Sequence, residues 1–264
     1  MNTQQLIDKA IQASLLAGAK ILQVYSSADF NVEFKGDQSP ITLADRMAHE
    51  QIIQTLKSTK LPVLSEEGIH LSFQERKKWE LFWLVDPLDG TKEFIKRNGD
   101  FTVNIALIEK NYAIAGVIYV PVTGELFVGI AGIGAWKIIN PSSECSFASL
   151  KLSGTQLPLK TNSHDFTVAA SRSHINIETE AYIEELRKKH SSIKLLNRGS
   201  SLKICMVAEG TVDVYPRFGP TMEWDTAAGH AIVKAAGKNI FHTDKNEELT
   251  YNKENLLNPF FIVG

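Results

Sequence analysis

The feature that most constrains this chain of 264 residues is an apolar run that ends in two carboxylates. Leu81 to Val85 are all apolar, and Asp86-Pro87-Leu88-Asp89-Gly90 follows them directly. A short apolar run bounded by turn residues predicts a buried strand, which we expect to end where the acids begin. Pro87 fixes its own φ and biases Asp86 away from helical backbone, so the chain can turn back and bring the two carboxylates together.

Converging carboxylates repel each other unless a cation lies between them, and their hard oxygens are ligands that Mg²⁺ prefers. An isolated Asp-Gly pair is more typical of a hairpin turn, with Asp86 as a strand terminator. Two further acidic segments weaken that alternative, because each also places an acid at the end of a predicted element. The segments are Ser65-Glu66-Glu67-Gly68, after a short apolar run, and Glu223-Trp224-Asp225-Thr226, before a run of small residues. Taken alone, the first segment would be a solvated turn, and the second would be a helix start capped by Asp225.

Composition and charge exclude several classes of protein. Lys and Arg number 28 against 30 Asp and Glu, and no dense basic run supplies the phosphate affinity that a duplex nucleic-acid binder needs. No secretory leader or bilayer-length apolar run is found, which predicts a cytoplasmic protein without an integral membrane segment. A peripheral place at the inner face of the cell membrane stays open. Cys145 and Cys205 lack metal or redox spacing and are expected to be reduced thiols.

Hydrophobic periodicity predicts a layered α/β fold. Apolar residues at helical spacing predict an amphipathic helix over 3–25, and 32–34 is a candidate strand. Thr42 is the expected N-cap of a second helix, which carries Asp45 in its first turn. Four β-rich runs separated by turn residues then predict an antiparallel meander, over 102–109, 112–120, 125–130 and 135–139.

A polar stretch over 140–163, rich in Ser and Pro, is the expected boundary between two lobes. We place an N-terminal α+β lobe with most of the metal ligands at 1–155, and a C-terminal α/β lobe with nucleotide contacts and Asp225 at 156–264. Alternating strands and helices in the second lobe predict a mixed sheet covered by helices, with ligands at its strand ends. The expected elements there are strand 167–170, helix 176–189, strand 194–196, helix 201–209 and strand 212–215.

Residues 83–94, with Glu66 before them and Trp224-Asp225-Thr226-Ala227-Ala228 late in the chain, resemble the inositol monophosphatase superfamily of Mg²⁺-dependent, lithium-sensitive phosphatases. Lys92-Glu93, where inositol phosphatases typically have Thr-Asn, is similar to the bacterial 3′(2′),5′-bisphosphate nucleotidase branch. The resemblance covers nearly the whole chain and implies an alternating αβαβα sandwich of the inositol monophosphatase and fructose bisphosphatase type. Other segments that match the branch are 101–108, Ser171-Arg172-Ser173-His174, 199–203 and 215–220.

The resemblance implies hydrolysis of the 3′-phosphate of adenosine 3′,5′-bisphosphate to AMP and phosphate, in sulfate assimilation and nucleotide recycling. It implies 3′-phosphoadenylyl sulfate as a further candidate substrate and two or three Mg²⁺ ions at the site. The expected partner is a small nucleotide and not a nucleic acid, and the expected assembly is a monomer or homodimer. The nearest alternative is an inositol monophosphatase or sugar bisphosphatase of the same superfamily. An alternative from another class is a non-catalytic nucleotide sensor.

The resemblance also implies a role for each candidate site residue and a mobile flap over the metal site at 35–39. The implied metal ligands are Glu66, Asp86, the carbonyl of Leu88, Asp89 and Asp225. The implied catalytic residues are Asp45, Thr91 and Glu66. The implied substrate contacts are Leu88, Asp89, Gly90, Thr91, Ser171, His174, Gly199, Lys203 and Asp225.

Structural roles stay open for several of these residues. Asp45 also fits a first-turn acid that complements the helix dipole, and Thr91 also fits the cap of a helix that starts at Lys92. His174 alone fits an exposed loop histidine, and 199–201 alone fits an ordinary helix cap. Spacing does not decide between Glu66 and its neighbour Glu67. Arg217 fits a contact to the 5′-phosphate and a structural brace equally well.

Overall fold

The computed structural model describes residues 1–27, 30, 32–34, 36, 40–69, 71–159, 165–170 and 176–264. Its helices are α1 Thr3–Tyr25, α2 Leu43–Leu56, α3 Phe73–Arg76, α4 Thr91–Ile95, α5 Phe147–Ser153, α6 Ile177–Arg187, α7 Leu202–Glu209 and α8 Glu223–Ala235. The first strands are β1 Glu33–Phe34, β2 Pro40–Ile41, β3 Val63–Ser65, β4 Leu81–Asp89, β5 Thr102–Glu109, β6 Tyr112–Val120 and β7 Glu125–Ile130. The later strands are β8 Gly134–Ile139, β9 Thr155–Leu157, β10 Phe166–Ala169, β11 Ile193–Leu196, β12 Tyr215–Arg217, β13 Ile240–His242 and β14 Phe261–Val263. None of the helices within these ranges has both the length and the apolar character that crossing a bilayer requires.

A seven-stranded sheet in the order β3-β4-β5-β6-β7-β8-β9 forms the centre of the fold. The predicted antiparallel meander is confirmed from β5 to β8, whereas β3 runs parallel to β4. Along β4, Phe82 and Leu84 pack in the core shared with α7 and α8, while Trp83 and Val85 pack in the core shared with α1 and α2. Helices cover both faces of the sheet, which is why its inner strands are apolar almost throughout.

Strand β4 does not end at Val85, as the sequence predicted, but continues to Asp89. Asp86 pairs with Asn104 on β5 and Asp89 pairs with Thr102, with a register shift between these pairs. A register shift of this kind is a β-bulge, which bends one strand and redirects its side chains without ending the ladder. The turn residues therefore build a bulge inside the sheet and not a hairpin at its end.

Helix α8 lies directly on β6 and β7, because Gly116 and Gly129 leave room for it. These two glycines are cross-strand neighbours. A Cβ atom on Gly116 would lie 2.2 Å from the carbonyl oxygen of Ala228, and one on Gly129 would lie 2.5 Å from Cα of Ile232. This close approach fixes the height of the helix above the sheet, and so also the position of Asp225 near its start.

The C-terminal half contains a parallel pair, β10 and β11, and an antiparallel sheet in the order β12-β14-β13. An isolated parallel bridge between Val168 and Val214 joins them, and α6 packs over them through Ile183. From one side to the other, the layers are α1 with α2, the large sheet, α7 with α8, the small sheets, and α6. The predicted αβαβα class is therefore confirmed.

The stretch 140–163 contains two elements that the sequence did not predict. Ser146 caps α5, which buries Phe147 and Leu150, and strand β9 pairs with β8 in the large sheet. The strand expected at 212–215 lies at Tyr215–Arg217 instead. The division into lobes at 155 and 156 stays a prediction.

A buried histidine in α8 gives the fold a predictable response to acid. His230 Nδ1 lies 2.8 Å from the Tyr251 hydroxyl and Nε2 lies 2.6 Å from Asn239 Oδ1. Burial lowers the pKa of His230 from 6.5 to about 4. Since the unfolded chain then binds the proton first, the contribution of His230 to stability is complete above pH 6.5 and is lost as the pH falls toward 4. The lost free energy of unfolding is about 3 kcal/mol at the acid end.

We expect urea unfolding of the wild type between pH 7.5 and pH 4.5 to show this loss (on the order of 1 kcal/mol per pH unit). In the His230→Gln variant, which has no imidazole to protonate, that part of the pH dependence should be absent. Parallel pH dependences in the two proteins would rule out His230 as the source.

Candidate metal and phosphate site

Three separate elements bring carboxylates to one point. The backbone N–H of Glu66 donates to the Val85 carbonyl at 3.1 Å, which continues the β3 and β4 pairing and places Glu66 beside Asp86. Asp225 is the third residue of α8, and its Oδ2 accepts a hydrogen bond from the Met222 N–H at 2.8 Å. Carboxylate oxygens of Glu66, Asp86 and Asp225 lie within 4.8 Å of one another. The structure thus brings together three of the four acidic side chains predicted to bind metal.

The electrostatics of this cluster fit a cation. Asp86 is 1 % exposed, and its Oδ1 accepts a hydrogen bond from the Leu88 N–H at 3.0 Å. Burial raises the pKa of Asp86 well above its usual value, and the charges of Glu66, Asp89 and Asp225 raise it further. Burial and the neighbouring Asp89 likewise raise the pKa of Asp225 well above its usual value. A cation among these oxygens would relieve both effects, and an all-oxygen donor set suits Mg²⁺.

Asp45 and Thr91 form a hydrogen-bonded pair next to the cluster. Asp45 Oδ2 accepts from the Thr42 N–H at 2.7 Å and from its hydroxyl at 2.6 Å, as expected for a capping box at the start of α2. Asp45 Oδ1 accepts from the Thr91 hydroxyl at 3.2 Å. Burial raises the pKa of Asp45, although the hydrogen bonds from Thr42 lower it, and the charge of Glu66 raises it further. Asp45 therefore combines a helix-capping role with a contact to Thr91.

The structure contradicts the alternative in which Thr91 caps a helix that starts at Lys92. Helix α4 begins at Thr91, and Gly90 takes the N-cap position with a φ of 94°. The Thr91 hydroxyl does not cap the helix, because it points to Asp45 and lies 3.4 Å from the Leu88 carbonyl oxygen. A Cβ on Gly90 would lie 3.0 Å from the Asp100 carbonyl oxygen, and its positive φ also favours glycine.

Asp89 lies beside the three-carboxylate cluster and bonds to the loop before α7. Its Oδ2 accepts from the Ser200 hydroxyl at 2.5 Å and from the Ser201 N–H at 2.7 Å. Ser201 is the N-cap residue of α7 but makes no side-chain cap bond. Its hydroxyl lies 2.8 Å from Thr102 Oγ1 and donates to Asn104 Oδ1 at 3.0 Å. The loop 199–201 is therefore more than an ordinary helix cap.

Gly199 and Lys203, two predicted nucleotide contacts, both fix this loop. The Gly199 N–H donates to Asp100 Oδ2 at 2.9 Å. Lys203 is 7 % exposed, and its Nζ donates to the carbonyl oxygens of Arg198 at 2.8 Å and Ser200 at 3.1 Å. The ammonium also lies over the Tyr215 ring, 5.3 Å from the centroid. In this structure Lys203 stabilises the loop, and its contact to a nucleotide stays a prediction.

Arg217 lies within electrostatic reach of the cluster, because its charge opposes the rise in the pKa of Asp225. Its Nη2 donates to the Pro220 carbonyl oxygen at 3.1 Å. Ser171 and His174 lie outside the described residues, as do all positions of the predicted flap 35–39 except Gly36. Their roles stay predictions.

Sequence reasoning did not find the polar network that supports Asp89. Thr102 and Asn104 are buried polar residues at alternate positions of an otherwise apolar strand, β5, so their side chains share one face. That alternation was the available signal. Ser200 and Ser201 lie about a hundred residues further along the chain, and their meeting with Asp89 depends on the tertiary fold.

Comparison with known proteins agrees with this geometry. Residues 2–259 match the model of the inositol monophosphatase family. The chain is 43 % identical over 264 residues to 3′(2′),5′-bisphosphate nucleotidase CysQ of Escherichia coli (strain K12), covering 98 % of this chain and 99 % of that protein. Among solved structures, CysQ of Bacteroides thetaiotaomicron, a bacterial member of the inositol monophosphatase family, superposes with a TM-score of 0.91 at 51 % identity, covering 99 % of this chain and 97 % of that one.

A more distant structure has the same fold. The extragenic suppressor protein suhB of Bartonella henselae superposes with a TM-score of 0.76 at 25 % identity, over 98 % of this chain and 93 % of that one. The family match covers nearly the whole length, including every carboxylate of the cluster. This chain belongs to the inositol monophosphatase family.

Proposed function

We propose that this protein is a Mg²⁺-dependent phosphatase that hydrolyses the 3′-phosphate of adenosine 3′,5′-bisphosphate to AMP and phosphate. The observation that carries the proposal is the convergence of Glu66, Asp86 and Asp225 beside the Asp45 and Thr91 pair. The choice of nucleotide substrate is supported by the similar proteins, which are named 3′(2′),5′-bisphosphate nucleotidase and match this chain over nearly their whole length. Hydrolysis of 3′-phosphoadenylyl sulfate and a place in sulfate assimilation and nucleotide recycling belong to the same proposal.

Glu66, Asp86 and Asp225 would hold the metal, with Asp89 and the Leu88 carbonyl as further ligands. Bound Mg²⁺ would make water a better nucleophile at neutral pH and neutralise charge on the departing oxygen. We propose two or three ions, as the resemblance to the superfamily implies.

Thr91 would orient the attacking water. Its hydroxyl donates to Asp45 Oδ1, so the lone pairs of its oxygen are available to accept a hydrogen bond from water. The pKa of Asp45 is raised by burial, which makes its carboxylate a better proton acceptor than an exposed aspartate. The proton of the water would pass through Thr91 toward Asp45, or directly to Glu66.

The nucleotide would lie between the bulge and the loop before α7. Backbone groups of Gly90 and Thr91 would face the scissile phosphate, and Gly199 would contact the nucleoside. Lys203 or Arg217 would neutralise the 5′-phosphate. Among the described residues, Arg217 Nε is buried without a hydrogen-bond partner, which favours Arg217 for this contact because an anion would satisfy that donor.

The Thr91→Val variant tests the water-orienting role, since valine keeps the shape of threonine and removes the hydroxyl. We expect kcat for adenosine 3′,5′-bisphosphate to fall about 10²- to 10³-fold, a typical loss for a group that assists proton transfer. Thr91→Ser keeps the hydroxyl and should retain most of the activity. Equal losses in the two variants, measured by steady-state phosphate release, would mean that the hydroxyl alone does not account for the effect, and wild-type kcat in Thr91→Val would contradict the water-orienting role.

A comparison of substrates tests the nucleotide assignment. Values of kcat/KM should be measured for adenosine 3′,5′-bisphosphate, inositol 1-phosphate and fructose 1,6-bisphosphate at fixed Mg²⁺. We expect the nucleotide to be preferred. Preference for another ester would identify an inositol or sugar phosphatase, and tight nucleotide binding without any hydrolysis would identify a sensor.

The cellular location and assembly are proposed from sequence. We propose a cytoplasmic enzyme that is a monomer or homodimer, and size-exclusion chromatography with light scattering distinguishes the two assemblies. No described feature of the structure supports peripheral association with a membrane.

A further inference from the structure

Among the residues that the structure describes, one oxygen of the Asp89 side chain accepts all of its hydrogen bonds. Oδ2 accepts from the Ser200 hydroxyl at 2.5 Å, the Ser201 N–H at 2.7 Å and Asn104 Nδ2 at 3.4 Å. Within the described part of the chain, no hydrogen bond reaches Oδ1. Ser200 and Ser201 therefore fix the orientation of the Asp89 carboxylate, and Oδ1 is the oxygen that can bind a cation.

The loop that holds Asp89 is itself held at several points. A Cβ on Gly199 would lie 2.8 Å from the Cβ and carbonyl oxygen of Asp100, so the loop packs tightly on the segment that follows α4. The Ser200 carbonyl oxygen accepts from Lys203 Nζ at 3.1 Å, and the Ser200 hydroxyl lies 2.8 Å from Thr102 Oγ1. These contacts give the Ser200 side chain one position.

Ser200 also has an unfavourable backbone. Its φ of 54° lies in the left-handed region, which side-chain-bearing residues other than Asn and Asp rarely adopt. Such conformations persist only where the surroundings enforce them, and they gather at functional sites. A glycine would adopt this φ without strain, but it would lack the hydroxyl that reaches Asp89.

We propose that Ser200 is a positioning residue, which fixes Asp89 for cation binding and joins the predicted nucleotide loop to the metal site. The inference rests on the proposed function, because it takes Asp89 as a metal ligand. Gly199 and Lys203, the predicted nucleotide contacts, belong to the same loop, so a nucleotide bound there acts on Asp89 through Ser200. By linkage, Mg²⁺ binding and nucleotide binding then change each other's affinity by the same factor.

Calorimetric titration of Mg²⁺ into metal-free protein, without nucleotide, tests this role. Ser200→Ala and Ser200→Gly both remove the hydroxyl, and the glycine variant also removes the backbone strain. We expect both to raise the Mg²⁺ dissociation constant about 10- to 100-fold, as for other groups that orient metal ligands. Ser201→Ala is the matched control, since it removes a buried hydroxyl from the same network but keeps the N–H that bonds to Asp89.

A second readout separates positioning from general damage. In the Ser200 variants, the Mg²⁺ concentration that gives half-maximal phosphate release should rise by the same factor, while kcat at saturating Mg²⁺ stays close to wild type. Wild-type Mg²⁺ affinity in both Ser200 variants, or equal weakening in Ser201→Ala, would overturn this inference and leave the proposed function standing. A wild type that binds no Mg²⁺ would overturn both.

Discussion

Replacing Asp86 with asparagine is expected to reduce phosphate release from adenosine 3′,5′-bisphosphate about a thousandfold or more, because it removes the most buried of the three clustered charges. The fold should survive, since the asparagine oxygen can still accept the Leu88 N–H. The metal-free variant should in fact be more stable than the wild type by about 1–2 kcal/mol. The reason is that the variant lacks the buried Asp86 carboxylate, whose pKa burial and the neighbouring acids raise in the wild type.

The effect of Asp86→Asn on the stability of the metal-free protein depends on pH. A raised pKa in the folded state means that the metal-free fold binds the Asp86 proton more tightly than the unfolded chain does. This contribution therefore stabilises the fold as the pH falls and destabilises it near neutrality, and it should be missing in Asp86→Asn. Thermal melts of EDTA-treated protein at pH 5 and pH 7.5 measure it.

Asp8→Asn provides a matched control. Asp8 Oδ1 accepts the Phe147 N–H at 2.7 Å at the start of α5, so this change also neutralises a carboxylate that binds a backbone donor. It should leave both activity and the stabilisation by Mg²⁺ unchanged. If Asp86→Asn kept wild-type turnover, or still gained wild-type thermal stability from Mg²⁺, Asp86 would not be a metal ligand.

Gly116→Ala is expected to destabilise the protein by about 3 kcal/mol, near the upper end for overpacking of a core. Its new methyl group would lie 2.2 Å from the Ala228 carbonyl oxygen, and backbone cannot rotate away as a flexible side chain can. Relief of the clash must lift α8 from the sheet and move Asp225 with it. A shift of about 1 Å at a catalytic group typically costs about 100-fold in rate, so kcat should fall as well.

Urea unfolding of two further variants defines this effect. Gly129→Ala should behave similarly, because its methyl group would lie 2.5 Å from Cα of Ile232. Gly219→Ala is the control for stability, since its nearest neighbour would be the Arg217 side chain at 3.6 Å, an ordinary contact. A Gly116→Ala variant with unchanged stability would show that α8 is not held against the sheet as described.

The parts of the fold that sequence predicts well are those with a strong local signal. The β-rich runs of β5, β6 and β7, each bounded by turn residues, and the 3.6-residue period of α1 predict their bounds to the residue. Thr42 is the N-cap of α2, as predicted, because that signal is local, and Asp45 three residues later completes a capping box with it.

The parts that it misses depend on pairing between distant segments. Asp86-Pro87-Leu88-Asp89 has the composition of a turn, yet β5 supplies partners on both sides of it and the strand continues as a bulge. The support of Glu223 is another case, since its carboxylate accepts the Asn252 and Lys253 N–H groups from the far end of the chain. No local pattern identifies Asn252 or Ser200, because neither is near the site in sequence.

Phosphate release from adenosine 3′,5′-bisphosphate by EDTA-treated protein, with Mg²⁺ then added back and Li⁺ added last, tests whether the three carboxylates bind the catalytic metal. We expect no release before Mg²⁺, release that saturates with Mg²⁺, and inhibition by Li⁺. Release that is equally fast without a divalent cation would contradict the assignment of Glu66, Asp86 and Asp225 as the metal site of a phosphatase.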